Sequence, residues 1–200
     1  MLKNISNLGD AALYCDFGIQ VNKATNLEVI KYFNTIREKK IKGINNLTPS
    51  YNKLIISFDL RVTNFSEIKN KIENLDTTIE KNKNNKKIEV PVCCEENFAL
   101  DKSRLEKKLN LSYQEILTKF FDKEYFCYMT GFIAGMPFLG DIDENLRTQR
   151  LETPRVKVPQ GSVGITEQFA NIYTFDSPGG WNIIGNTPLK VFDDLSLIHI

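Results

Sequence analysis

The chain has 200 residues and a mass of 23.0 kDa, room for one domain or two small ones, and its 42% apolar residues suffice to bury a core. With 26 Lys and Arg against 25 Asp and Glu, the net charge of +1 excludes a bulk field that would draw nucleic acid or an anionic membrane surface. No apolar run approaches the roughly 20 residues needed to span a bilayer, and MLKNISNLGD lacks a secretion-signal profile, so a cytoplasmic location is expected.

Along the chain, Asp10 to Phe17 alternates apolar and polar residues with the period of a half-buried strand. Thr25 with Glu28 three positions on forms a capping box, and Leu27, Ile30, Phe33 and Ile36 predict one apolar helical face that stops by Gly43. Lys53 to Asp59 predicts a buried strand entered through the turn residues Thr48, Pro49 and Ser50. Asn64 and Glu67 cap a second helix, with Phe65, Ile68, Ile72, Leu75 and Ile79 at steps of three and four. Together these elements predict a small α+β domain over residues 1–80.

The run KNKNNKK at 81–87 can bury nothing and has no aromatic residue to stack a base, so it is expected to be a solvated linker. Beyond it, Ile88, Val90 and Val92 alternate as a strand, with Pro91 placing it at an edge or an end. One short helix starts at Asp101. Another is capped by Ser112 and Glu115, with Ile116, Leu117, Phe120 and Phe121 as its buried side. From Glu124 onward, short apolar runs (EYFCYMTGF, SVGIT, NIYTF, WNIIG, LKVF) alternate with Gly and Pro, which predicts a compact barrel or sandwich over residues 88–200.

Chemistry is narrowed by what is scarce. Cys15, Cys93, Cys94 and Cys127 show no zinc-type spacing and are expected to be reduced, mostly buried thiols; no metal is expected. The single histidine, His199, sits one residue from the end, so no Ser-His-Asp triad or Cys-His dyad is available without it. Gly131, Gly135 and Gly140 do not match a dinucleotide fingerprint, and no phosphate loop of the G-x-x-x-x-G-K-[ST] type is present. Arg155, aimed by Pro154, can hold a carboxylate or phosphate in two parallel bonds; a structural ion pair is the alternative. Ser177, Pro178, Gly179, Gly180 and Trp181 form a turn whose glycines can adopt positive φ as an anion nest, with Trp181 walling a pocket. The alternative is a tight turn whose tryptophan closes a barrel end. Pro159, Gln160, Gly161 and Ser162 offer the same choice, but Ser162 without a base is no nucleophile.

Three segments are specific enough to point to a family: GFIAGMPFLG at 131–140, TPRVKVPQGSV at 153–163 and SPGGWNIIGNTP at 177–188. With GDAAL at 9–13 and PSYNKL at 49–54, in this order and spacing, they resemble the allophanate hydrolase subunit 1 family. It is also called the carboxyltransferase C/D domain family, and includes the 5-oxoprolinase subunit PxpB and the sporulation kinase inhibitor KipI. The resemblance implies an α+β N-terminal domain followed by a cyclophilin-like β-barrel. It implies a non-autonomous subunit of an ATP-dependent 5-oxoprolinase that opens 5-oxoproline to glutamate. Its partners would be a second barrel subunit of the allophanate hydrolase subunit 2 type (PxpC/KipA-like) and a third, PxpA-like subunit. ATP would bind at a site shared with the partner. A KipI-like inhibitor of a sensor histidine kinase and a carboxyltransferase component of urea metabolism are the alternatives. Prolyl isomerisation, suggested by barrel type alone, is the weakest.

Two departures bear on the pocket rather than the fold. Thr166 to Asn171 replaces a glycine-rich stretch, leaving Asn171 to supply any left-handed conformation, and Ala134 stands where proline is usual. The tail 194–200 does not match the family and is expected to be the end of an incomplete gene product, the barrel lacking its closing strand.

Overall fold

A computed structural model describes residues 2–77 and 86–193 and divides into two compact units, Met1–Asn85 and Lys86–Ile200. Residues 78–85 (Ile79 and most of the expected linker) and 194–200 (the tail, with His199) lie outside the described residues.

The first unit is a four-stranded antiparallel sheet of β1 (Asn4–Asn7), β2 (Ala12–Asp16), β3 (Ile44–Pro49) and β4 (Lys53–Phe58), in the order β1-β2-β4-β3. Helix α1 (Lys23–Lys39) links β2 to β3, and α2 (Phe65–Glu73) follows β4. The period of two decides which face is inside: Leu13 pairs with Ile56 and Cys15 with Leu54, and all four are buried. They pack with Val29 and Ile36 of α1 and Ile68 and Ile72 of α2 in one apolar cluster.

Three local expectations change in this unit. Asn22, not Thr25, caps α1: its side chain accepts from the Thr25 N–H at 2.9 Å, so Thr25 is already inside the helix. The buried face runs through Asn26, Val29 and Ile36, set by packing on the sheet, and leaves Leu27 exposed. The helix ends at Lys40, which itself takes the left-handed conformation (φ 44°), ahead of Gly43. Thr48 and Pro49 belong to strand β3, and the chain turns at Ser50–Asn52 instead. By contrast Asn64 caps α2 as expected, accepting from the Glu67 N–H at 3.0 Å.

The second unit places α3 (Lys102–Leu109) and α4 (Tyr113–Phe121) before seven strands. These are β5 (Phe126–Thr130), β6 (Pro137–Gly140), β7 (Arg155–Val158), β8 (Ser162–Thr166), β9 (Phe169–Ile172), β10 (Ser177–Gly179) and β11 (Asn182–Asn186). Five form an antiparallel sheet in the order β11-β8-β9-β6-β5, and β10 pairs with β7 as a separate ribbon. Among the described residues the five-stranded sheet is open, with β5 and β11 as its edges, rather than a closed ring. The expected strand at 88–92 does not form; Cys93 makes only an isolated bridge to Asn186. Leu189 to Phe192 is likewise not a strand.

Helix α4 has the expected capping box between Ser112 and Glu115. Tyr113 takes the buried place expected for Phe121, which is exposed, and donates its hydroxyl to the Ile184 carbonyl. All five residues of β8 are buried because both faces of the sheet are covered. Val163 and Ile165 meet Leu105, Ile116 and Phe120 from the helices on one face. On the other face Tyr173 and Ile183 meet Met136 and Val158, the last carried by the ribbon.

All four cysteines are free, and only Cys15 is buried. No described helix is long and apolar enough to cross a membrane.

Ile56 is fully buried, so Ile56→Ala should lower the unfolding free energy of the first unit by about 2–5 kcal/mol. Leu27→Ala, at a 46% exposed position, should cost less than about 1 kcal/mol. Urea titration of the two variants followed by circular dichroism checks the ordering.

Candidate functional site

Arg155 opens β7 with its guanidinium held from behind. Its Nη2 lies 2.6 Å from Asp101 Oδ1, and Asp101 is 4% exposed. The other carboxylate oxygen accepts from the Ile183 N–H at 2.6 Å, while the Asp101 N–H donates to the Ile183 carbonyl at 3.1 Å. Asp101 stands at the start of α3 yet makes no side-chain cap, because both oxygens are committed elsewhere. The ion pair expected as the alternative for Arg155 is therefore real, but it uses only one arm of the fork. Nη1 is buried and makes no hydrogen bond.

The ribbon gathers part of the expected site around this arginine. Gly179 pairs with Arg155 across β10–β7, and a side chain at Gly179 would collide with the Tyr173 hydroxyl. Gly180 is buried beside Pro154, its carbonyl accepting from the Leu151 N–H at 2.7 Å. Ser177 is buried with its Oγ making no hydrogen bond, Pro178 is exposed, and Trp181 meets Phe138 edge to face at 5.6 Å between ring centroids.

The anion nest does not form. Neither Gly179 nor Gly180 has positive φ, because Ser177–Gly179 is drawn into extended pairing with β7. The left-handed residue of the 166–171 segment is Glu167 (φ 45°), and Asn171 is an ordinary residue of β9.

Pro159, Gly161 and Ser162 serve the backbone. Gly161 (φ 81°) donates to the Tyr173 carbonyl at 2.8 Å and lies so close to the Thr187 carbonyl that no side chain fits. Ser162 N–H donates to the Pro159 carbonyl at 3.2 Å, and Ser162 lies buried in β8, on a different sheet from Arg155.

Sequence reasoning missed Asp101, Asn171 and Tyr173. Burial pushes the Tyr173 hydroxyl above the ordinary tyrosine range, which keeps it a neutral donor; the Asn171 side chain and the Trp181 backbone lie beside it. The available signal was small: one amide inside the apolar run NIYTF, and a helix-start aspartate that reads equally well as a cap. Among the described residues no group of three or more His, Cys, Asp or Glu side chains is placed to hold a metal ion.

Residues 3–197 match the carboxyltransferase domain, subdomain C and D. The chain is similar to the B-type 5-oxoprolinase subunit of Bacillus subtilis, 31% identical over 200 residues, covering 94% of this chain and 83% of that protein. Its fold is similar to the crystal structure of TTHA0988, with TM-score 0.84 and 25% identity, covering 94% of this chain and 37% of that one. It is also similar to the urea amidolyase of K. lactis, with TM-score 0.77 and 16% identity over 98% of this chain and 14% of that one, a likeness of fold alone.

Removing the arginine leaves Asp101 charged and buried without its cation. Arg155→Ala should therefore cost about 3–5 kcal/mol of unfolding free energy, whereas exposed Arg150→Ala should stay within about 0.5 kcal/mol. Denaturant unfolding of the two variants measures the difference.

Proposed function

Because the chain belongs to the carboxyltransferase domain family, subdomains C and D, we propose that it is the B-type component of a multi-subunit 5-oxoprolinase. In this reading it opens the lactam of 5-oxoproline to glutamate together with a second, allophanate hydrolase subunit 2-type subunit and a third, PxpA-like one. The observation that carries it is the half-used guanidinium. Asp101 fixes one arm of Arg155 and leaves Nη1 buried without a hydrogen bond, a donor preorganised for an oxyanion. A lactam is a poor electrophile, and such a donor lowers the energy of charge that gathers on the substrate carboxylate or on the amide oxygen.

The residues present do not by themselves cradle a triphosphate. The chain has no phosphate loop, and the Gly179–Gly180 nest is absent. ATP, which when bound supplies the phosphoryl group that activates the lactam, therefore belongs to a site completed by the partner. Arg155 contributes one charged arm. Tyr173 contributes a neutral hydroxyl beside it. The cyclophilin-like reading of the second unit is supported by the ribbon β7–β10 and the sheet enclosing one apolar cluster of Met136, Val158, Tyr173 and Ile183. A cytoplasmic location follows from the same assignment.

The three subunits coexpressed and purified as one complex should release glutamate from 5-oxoproline in an ATP-dependent manner. An assembled complex with Arg155 intact that releases none overturns the assignment. Arg155→Lys keeps the charge but loses the planar fork, and should lower kcat/KM about 10²-fold in that assay.

A further inference from the structure

The first unit carries a groove that no step of lactam opening uses. It has a volume of about 560 Å³ and runs between the C-terminal turn of α1 and strand β3. Phe33, Ile44 and Leu47 form its apolar side, each half-buried against the core of this unit. Its charged side is of one sign: Arg37, Lys40 and Lys42 line it, and no carboxylate does. Among the described residues none of these three makes an ion pair. Arg37 lies over the Phe33 ring at 5.1 Å and donates to Asn34 Oδ1 at 3.2 Å. Asp59, whose N–H donates to the Gly43 carbonyl at 2.8 Å, has both carboxylate oxygens on Arg61, at 3.0 and 2.7 Å. Basic residues suit the C-terminal end of a helix, which accounts for Arg37 and Lys40; Lys42 lies beyond it and has no such role.

Strand β3 is an edge of its sheet, and the ladder to β4 fixes which of its backbone groups are open. Ser50 N–H donates to the Lys53 carbonyl at 2.9 Å, so that pair is hydrogen-bonded, and bonded pairs alternate from there. Thr48 with Ile55 and Asn46 with Ser57 are then bonded pairs. Leu47, opposite Ile56, turns its N–H and C=O away from β4 to the open edge. Pro49, opposite Leu54, falls in the same unbonded set, as suits a residue without an N–H. Ile56 is fully buried, so the Leu47 side chain shares its face of the sheet, the one the groove borders. One short stretch of β3 therefore supplies both an open backbone and an apolar wall.

Open strand backbone, aliphatic side chains and unpaired cations on one groove are together complementary to one kind of occupant. We propose that the first unit docks an extended, acidic segment of a partner protein. The segment adds as a strand to the edge of β3, with aliphatic side chains against Ile44 and Leu47 and carboxylates against Arg37, Lys40 and Lys42. A second copy of the chain is the poorer occupant, because pairing β3 with itself brings two sets of the same three cations together. Charge of one sign favours encounter with the right partner, and strand pairing sets its register. This docking is independent of the lactam-opening reading and uses no residue of the second unit.

The probe is a fluorescein-labelled, end-capped peptide, EEVIVEE, followed by fluorescence anisotropy as the full chain is added. Saturable binding is expected, about tenfold tighter than for KKVIVKK and weakened between about 50 and 300 mM NaCl. Two further versions carry N-methyl groups, one on both valines and one on the isoleucine, which block opposite edges of the bound strand. At least one of them should bind about tenfold more weakly. The triple variant Arg37→Glu, Lys40→Glu and Lys42→Glu, shown by circular dichroism to be folded, should lose EEVIVEE and gain KKVIVKK. The proposal is overturned by no saturable binding, by equal affinity for the two charge patterns, or by N-methyl versions that both bind like the parent. Unaltered binding in the folded triple variant also overturns it and moves the peptide to the lysine run at 81–87. A dimer of the free chain that the peptide separates into monomers overturns it in favour of a second copy. The salt and N-methyl comparisons use the unaltered chain and decide even if the triple variant unfolds.

Discussion

The second unit is organised by one buried carboxylate. Asp101 stands at the start of α3, and its two oxygens take the Ile183 N–H of β11 and the guanidinium of Arg155 on β7, so one residue of the helix ties the sheet to the ribbon. Its charge is tolerable in the interior only because a cation and an amide N–H share it. The same bonds that hold the ribbon on the sheet also set the direction in which Arg155 points, so the scaffold and the anion-binding arm cannot be separated.

Around that clamp the sheet has two different faces. Towards α3 and α4 it is uniformly apolar, with Leu105, Ile116 and Phe120 on Val163, Ile165 and Ile184. Towards the ribbon it mixes apolar residues with Asn171, Tyr173 and the bare backbone of Gly164. Arg155 Nη1 and Ser177 Oγ, both buried and without a hydrogen bond, lie on the ribbon.

Much of the scaffold is legible from local rules. The alternation of β2 and β4, the Asn64 cap and the Ser112–Glu115 box depend on residues within a few positions of one another, and each forms as the pattern dictates. Where two local signals compete, tertiary packing decides. Asn22 wins the cap of α1 over Thr25, and packing on the sheet buries Val29 and leaves Leu27 exposed. The expected strand at 88–92 has its period but not a full partner, since only Cys93 reaches β11.

The candidate site divides along the same line. By itself the sequence determined the residue types: an arginine after proline, a glycine pair before the single tryptophan, and the ordered segments by which the family is recognised. Only the tertiary structure decided their roles. It pulled Ser177–Gly179 into extended pairing, so that no nest forms, and it brought Asp101 to Arg155 across 54 positions of chain. It also set Asn171 opposite Gly164 and beside the Tyr173 hydroxyl. The reason is physical: caps and periods act over one or two turns of chain, whereas partnering of a buried charge or amide is settled between distant strands, and no local pattern records which groups are left without a partner.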